Sequence, residues 1–473
     1  MTDNRTHQEG IGDAQDTIAA ISTSTGEAGI GIVRISGPDA FAVAETIFHA
    51  ANGRAYTPAD HRKLRYGWIR DGETTLDEVL VSFMQAPHTY TAEDIVEINA
   101  HGGRLSVERI LKLVLSHGVR LATRGEFTRR AFLNGRIDLL QVEAIHDIID
   151  AQSEAAQQQA VDQLGGGLSH QIKDLKDAIL SLLSKVEYDI NFMEDAQEEL
   201  PVLPMLQEAE RLEQAMASLI KDSQHGRLVR DGIRAVLVGE PNVGKSSLMN
   251  ALLREERAIV TDVPGTTRDA IEEGYRLDGI ALRLIDTAGL RETDDKVEAI
   301  GVDMSRRRMK EADLILALFD GSCDWTDREN LLLEETGDKP TIVILNKSDR
   351  GLSSSAVAFL RTLEIPKRPI IGGVALSALT GEGIEALIAM MREYLLGQAP
   401  ENDVALSNLR QIDLLEKAHQ SMLQAVYGMR AGVAIDACEV DLRQSYQHLA
   451  ALLGEEIGDD VLDKIFQDFC VGK

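Results

Sequence analysis

The spacing of apolar positions changes several times along the chain, and each change marks a boundary. Residues 1–15 are polar and unpatterned and are expected to form a loose tail. Residues 16–135 mix two periods. The runs 30–35 (IGIVRI) and 79–83 (VLVSF) predict strands, whereas 106–115 (SVERILKLVL) repeats apolar residues at helical spacing. The result is an α+β unit. From 136 to 231 a long 3.6-residue periodicity takes over, as in 140–151 and 172–186. Gly165, Gly166 and Gly167 interrupt it, because glycine gives a helix no side-chain support. Residues 232–396 alternate strand-like and helix-like stretches. From 397 to 473 helical spacing returns, at 409–429, 438–453 and 459–469. Helices therefore flank the α/β segment on both sides. The economical reading is one helical domain with the α/β domain inserted into it, since a domain's ends usually lie close together on its surface. Two separate helical domains are the rival arrangement.

Composition narrows the partners. At 473 residues and roughly 150 residues per domain, about three domains are expected. No apolar run is long enough to cross a membrane, and the N-terminus lacks the apolar stretch of a signal peptide. Cys323, Cys438 and Cys470 are far apart, which argues against a disulfide framework or a zinc site and fits a reducing cytoplasm. The formal charge is −28. A chain this acidic meets RNA only through a local basic patch, because phosphate contact needs positive charge. Arg120, Arg124, Arg129, Arg130 and Arg136 form the best candidate. The second cluster, 306–310 (RRRMK), reads as a solvated helix face. Aromatic residues are only 4 % of the chain, which argues against base-stacking platforms.

Candidate chemistry concentrates in the α/β segment. The apolar run 233–238 (IRAVLV) leads into Gly239-Glu240-Pro241-Asn242-Val243-Gly244-Lys245-Ser246-Ser247, and apolar helical spacing follows. Strand, glycine loop and helix are the context a phosphate-binding loop requires. Its backbone N–H groups converge on phosphate oxygens, Lys245 brings a point charge, and the Ser246 hydroxyl suits Mg2+. A second strand, 282–285, leads to Asp286-Thr287-Ala288-Gly289. Asp286 suits a magnesium-bound water, and the Gly289 N–H suits a γ-phosphate. A third strand leads to Asn346-Lys347-Ser348-Asp349. One carboxylate, Asp349, accepts the two adjacent donors of guanine, and adenine has no such pair. Asn346 is expected to reach the acceptor side of the base, and the Lys347 stem to cover the ring. Ser377, Ala378 and Leu379 fit the loop that closes over the base. Between the first two motifs lie Thr261, Asp262, Val263, Pro264, Gly265, Thr266 and Thr267, and Thr267 is assigned to complete the magnesium shell. Four elements in order imply a GTPase. A nucleotide switch that does not hydrolyse is the alternative.

Leu290 stands where familiar signalling GTPases place a water-orienting glutamine, and an apolar side chain cannot orient water. By residue type alone Glu292, Asp294, Asp295 and Glu298 are equal candidates. Here a resemblance enters. The loop G-x-P-N-x-G-K-S-S, the segment T-D-x-x-G-T-T-R-D and the segment D-T-A-G-L-R-E resemble the TrmE-Era-EngA group of translation-factor-class GTPases. Residues 31–37 (GIVRISG), 125–134 (GEFTRRAFLN) and the terminal Cys470-Val471-Gly472-Lys473 narrow it to the members that modify tRNA uridine-34. That resemblance implies a Ras-like P-loop domain inserted into the helical domain. It implies activation by K+, held by Asn242, Thr261, Val263 and Thr266, with Glu298 orienting the water and Arg291 supporting its loop. Pro264 would stiffen the loop that presents those carbonyls.

The same resemblance implies that the N-terminal domain is folate-binding-like. It would form a homodimer and hold a tetrahydrofolate derivative (5-formyl- or methylene-) through Arg34, Glu97, Arg136 and Lys473. Arg136 departs from the lysine common in the family, and the two cations differ in geometry. The FAD-dependent partner MnmG is implied too, in a heterotetramer or larger complex, with tRNA as substrate. FAD would sit on the partner. By residue type Cys470 reads first as a packed small hydrophobe, with a chemical role as the alternative. His101-Gly102-Gly103 reads as a tight strand-to-helix turn rather than a catalytic base. Two other functions are weighed: a ribosome-assembly GTPase of the Era or EngA kind, and a folate enzyme with a merely regulatory GTPase. The chain shows no second P-loop and no G-x-x-G in a basic KH context.

Overall fold

Alternation in the N-terminal segment folds into an antiparallel sheet, and unbroken apolar runs in the centre fold into a parallel one. A computed structural model describes residues 16–24, 26, 28–192, 202–255, 272–277, 280–286, 309–363, 369–396, 405–456, 458–467 and 469–473. These divide into two units, one formed by residues up to His146 with Ala450–Lys473, the other by Asp147–Leu449.

The first unit contains β1 (Ile18–Ile21), β2 (Ile30–Ser36), α1 (Ala40–Ile47), β3 (Phe48–Ala50), β4 (Leu64–Asp71), β5 (Thr74–Met84), β6 (Ile95–His101), α2 (Arg104–Leu115), β7 (Arg120–Leu121) and α3 (Glu126–Leu133). Its strands form one sheet in the order β3-β4-β5-β6-β2-β1-β7, antiparallel apart from β1 with β7. In β2, Gly31, Val33 and Ile35 are buried while Ile32 and Arg34 between them are only partly so. That two-residue period leaves one face for the core, where α1 and α2 cover Val33, Ile35, Val81, Phe83 and Ile98. His101 ends β6 and Gly103 caps α2, so the expected tight turn is present.

Three arginines of the expected RNA patch are occupied. Arg130 is buried and pairs with Asp16, Glu93 and Glu126. Arg120 pairs with Asp16 and Glu126, and Arg129 pairs with Asp463. Three of the five arginines thus belong to an ion network, while Arg124 is exposed with a bond to Gln467 O and Arg136 lies over Tyr90. Apart from Glu126 the network's carboxylates, Asp16, Glu93 and Asp463, lie far away in sequence, so a count of arginines along the chain does not show them. Burial alone would raise the Glu126 carboxyl, but the Arg120 guanidinium and the Thr123 N–H hold it down to about 2. The unfolded value is about 4.5, so this stabilisation is complete above pH ~4.5 and is lost as pH falls through ~2. Substituting Glu126→Gln removes one carboxylate from the buried Arg130 and from the half-buried Arg120. Equilibrium urea unfolding at pH 7 should show a loss of about 3 kcal/mol, shrinking toward pH 2. A constant difference across that window would refute the assignment.

A helix, α4 (Leu139–Asp150), leads from the first unit into the second. There follow α5 (Glu154–Leu164), α6 (Gly167–Phe192) and α7 (Val202–Asp231), with the expected glycine break between α5 and α6. Next come β8 (Ile233–Val238), α8 (Lys245–Glu255), β9 (Glu272–Leu277), β10 (Ile280–Asp286), β11 (Leu314–Asp320), α9 (Asp327–Glu335), β12 (Thr341–Asn346), α10 (Ser354–Thr362), β13 (Ile370–Ala375) and α11 (Ile384–Leu396). Then follow α12 (Leu409–Arg430) and α13 (Ile435–Leu453), whose last residues lie in the first unit, as does α14 (Asp459–Gln467). The second sheet runs β13-β12-β11-β8-β10-β9, parallel except for the edge strand β9. In β11 every residue but Asp320 is buried, because helices cover both faces. Among the described residues, no helix is long and apolar enough to cross a membrane.

Candidate functional site

Parallel strands deliver their loops to one edge, and that edge is where ligands bind in open α/β sheets. After Val238 the loop 239–244 turns directly into α8. A Cβ on Gly239 would lie 2.3 Å from the Leu318 carbonyl oxygen. Gly244 has φ +104°, and its Cβ would meet Asn346 Nδ2 at 2.2 Å. Both positions therefore require glycine. Lys245 is buried, and its Nζ donates to the carbonyls of Gly239 (2.7 Å) and Glu240 (2.9 Å). The ammonium thus stands at the mouth of the loop, at the N-terminus of a helix, where positive potential favours a phosphate. Ser246 and Ser247 are exposed in the first turn of α8, and Asn242 is exposed with φ +64°.

Register brings the other motifs alongside. Asp286 is level with Leu237 on the neighbouring β8. Asn346 ends β12, level with Asp320 of β11. The Asn346 amide is buried and turned inward: Nδ2 donates to the Val243 carbonyl at 2.7 Å, and Oδ1 accepts from Ala378 N at 2.9 Å. Asn346 is thereby a strut between the phosphate loop and the loop at Ala378, the place from which its expected contact with the base would be made. Lys347 adopts φ +63° and pairs with Asp320 at 2.7 Å. Burial would raise the Asp320 carboxyl, but the Lys347 hydrogen bond keeps it below its ordinary range. Ser377 Oγ donates to Asp349 Oδ1 at 2.6 Å, leaving the carboxylate aimed from an exposed position, and Leu379 is exposed beside it. Neither the strut nor the Asp320 partner has a local sequence signal.

For magnesium, an exposed hydroxyl at the loop mouth suffices on the protein side, since Mg2+ keeps waters and binds substrate phosphates rather than a protein cage. Ser246 fits that role. Thr261, Asp262, Val263, Pro264, Gly265, Thr266, Thr267, Thr287, Ala288, Gly289, Arg291 and Glu298 lie outside the described residues, as do 306–308 of the second basic cluster.

In the first unit a second constellation forms around the chain terminus. Arg34 on β2 faces Glu97 on β6, with Nε and Nη2 at 2.9 and 2.8 Å from Oε1. The Arg34 guanidinium lies 5.3 Å from the Tyr90 ring centre, and that of Arg136 lies 4.8 Å from the same ring. Gly472 O accepts from Ser22 Oγ at 3.0 Å and from Arg34 Nη1 at 3.5 Å. Gly472 has φ +98°, and a Cβ there would meet Ile21 O at 2.2 Å, so the terminal glycine is needed for this docking. Cys470 is exposed, and its carbonyl accepts from Gly125 N. Arg34, Glu97, Arg136 and the segment ending at Lys473 are thus brought together, with Tyr90 an addition no motif announced. Two cations, a carboxylate and a ring suit a planar heterocycle carrying N–H donors and carboxylates.

Residues 17–136 match the family model of the GTP-binding protein TrmE N-terminus, and residues 139–470 match the MnmE helical domain. The tRNA modification GTPase MnmE of Finegoldia magna is 47 % identical over 462 residues, 97 % of this chain and 100 % of that protein. That of Clostridioides difficile is 44 % identical over 460 residues, 97 % of this chain and 99 % of that protein. Among solved structures, a variant of Aquifex aeolicus Era bound to GDP and AlF4− is 25 % identical with a TM-score of 0.29, covering 40 % of this chain and 67 % of that one.

Proposed function

The chain belongs to the MnmE family of tRNA modification GTPases, and on that premise we propose that it is a potassium-activated GTPase whose hydrolysis drives modification of the wobble uridine of tRNA. With the FAD-dependent partner MnmG, it adds an aminomethyl or carboxymethylaminomethyl group at C5 of uridine-34. The carbon comes from a tetrahydrofolate derivative held by Arg34, Glu97, Arg136 and Lys473. The protein works as a cytoplasmic homodimer. The observation that carries this reading is the match over 97 % of the chain to a tRNA modification GTPase. It accounts for the N-terminal and helical segments, which an Era-like function leaves idle.

In the nucleotide domain, the amides of 242–247 and the Lys245 ammonium cradle the β- and γ-phosphates. Ser246 and Thr267 hold Mg2+; Asn242, Thr261, Val263 and Thr266 hold K+. When bound, the two cations add positive charge where the transition state gathers negative charge. Asp286, Thr287, Ala288 and Gly289 follow the γ-phosphate, and Glu298, supported by Arg291, orients the water in place of Leu290. Asp349 reads guanine, Asn346 meets the acceptor side of the base, and Lys347, Ser377, Ala378 and Leu379 close the base site. Cys470, exposed in the terminal docking segment, is assigned a chemical role toward the carbon being transferred.

Uridine-34 from cells with and without the protein tests the reading: the modified nucleoside should vanish in its absence, and unchanged content refutes it. GTP turnover should be at least ~10-fold faster in potassium than in sodium, and Asn242→Ala should erase that difference. Equal rates in both salts would remove the potassium site.

A further inference from the structure

The nucleotide domain is joined to the helices by two chain segments, and one arginine ties both to α4. The inbound segment is α7, which passes through Gly232 alone into β8. The outbound segment is 405–408, which leads into α12. They run against each other: a Cβ on Gly226 of α7 would lie 2.4 Å from Leu406 O. From α5, Gln159 Nε2 donates to Gly226 O at 3.3 Å and to Ala405 O at 3.4 Å. In the last turn of α7, Arg230 Nε donates to Asp147 Oδ1 of α4 at 2.9 Å, and Nη1 donates to Ser407 O at 3.4 Å. The Asp147 side chain is only 8 % exposed, so this pair is weakly screened by salt.

Beside the pair lies a cleft of about 210 Å³ lined by Asp147, Asp150, Gln152, Arg230, Asp231 and Arg283. Arg283 belongs to β10, the strand that ends at Asp286, and its Nη2 donates to Gln152 Oε1 at 3.4 Å. The neck of the nucleotide domain and the strand feeding its γ-phosphate loop thus meet the α4–α5 junction across one polar cleft. Arg230 also has a second carboxylate, Asp231, at 3.9 Å. A cation with two carboxylates and open space beside it has discrete alternative pairings, which a close-packed apolar contact lacks.

We propose that Arg230 is a positioning residue that couples the nucleotide state to α4 through Asp147 and the Ser407 carbonyl. The inference rests on the reading that hydrolysis serves tRNA modification. It is tested with the full-length protein, its flavoprotein partner and tRNA, by counting modified uridine formed per GTP hydrolysed. Arg230→Ala should keep GTP turnover within about twofold and lower that yield about tenfold. Asp147→Asn, nearly isosteric and tolerant of folding, should lower it in the same direction, and the exchange of Arg230→Asp with Asp147→Arg should restore it. Unchanged yield in both single variants overturns the proposal, as does a parallel fall in turnover and yield. Hydrogen exchange separates this from the functional reading. GTP should alter exchange of the α4 amides at least ~3-fold in the native protein and not in Asp147→Asn. The same GTP response in both overturns the coupling role, whatever the tRNA result. A native protein that leaves uridine unmodified while its α4 responds to GTP refutes only the functional reading.

Discussion

Alanine at Lys245 lowers GTP turnover by at least ~100-fold and leaves the fold of the domain intact. The expectation follows from where the ammonium sits. Lys245 Nζ lies against the carbonyls of Gly239 and Glu240, at 2.7 and 2.9 Å, on the first residue of α8. It holds the carbonyl side of the loop, so the N–H side is left to face the phosphates. Phosphoryl transfer asks little covalent chemistry of a protein and much fixed positive charge. Without the ammonium, negative charge gathers in the transition state against helix and backbone dipoles alone. Arginine should not rescue, because its planar fork cannot occupy the narrow space between two loop carbonyls. Steady-state turnover beside a melting curve checks both halves. A variant that melts normally and turns over within about tenfold of the native rate would show that Lys245 is only a structural tie.

Much of this nucleotide site is legible because its chemistry is local. A β8-type apolar run, a glycine loop and a helix are contiguous, so spacing alone locates Gly239–Lys245. The strands of the parallel sheet read as unbroken apolar stretches because both faces are covered, and β8 and β12 fall where those stretches predict. What the sequence hides is pairing across distance. Arg130 looks like a free cation until Asp16 and Glu93 are brought to it by the antiparallel sheet. Asn346 is legible as a residue of the base site, but not its bonds to Val243 and Ala378, which the crossover connections set on either side of it. The same holds in the first unit. Arg34 and Glu97 are strand neighbours only through the β2–β6 register. The terminal Gly472 reaches them because its left-handed backbone fits against Ile21. Short strands such as β1 and β7 carry too few residues for a period to declare itself.

Asparagine at Asp349 should change which nucleotide the protein prefers. Ser377 Oγ donates to Asp349 Oδ1 at 2.6 Å, and an asparagine oxygen accepts that bond equally well, so the loop keeps its shape. The second atom changes from an acceptor to an N–H2 donor. Guanine presents donors at N1 and at the exocyclic amine, and the new donor meets one of them head on. A polar mismatch in a site built for a hydrogen bond costs two to four orders of magnitude, so GTP should bind ~10²- to 10⁴-fold more weakly. Xanthine carries a carbonyl oxygen where guanine has the amine, and the asparagine donor suits it. Xanthosine triphosphate should therefore be hydrolysed by Asp349→Asn at close to the native maximal rate, with its KM lowered relative to the native protein. Because Lys245 and the phosphate loop are untouched, the loss for GTP should appear in KM rather than in kcat. Turnover measured with both nucleotides over a range of concentrations separates the outcomes. An equal loss with both would mean that Asp349 supports the loop and does not read the base. An unchanged KM for GTP would place base recognition elsewhere on the edge formed by β12 and β13.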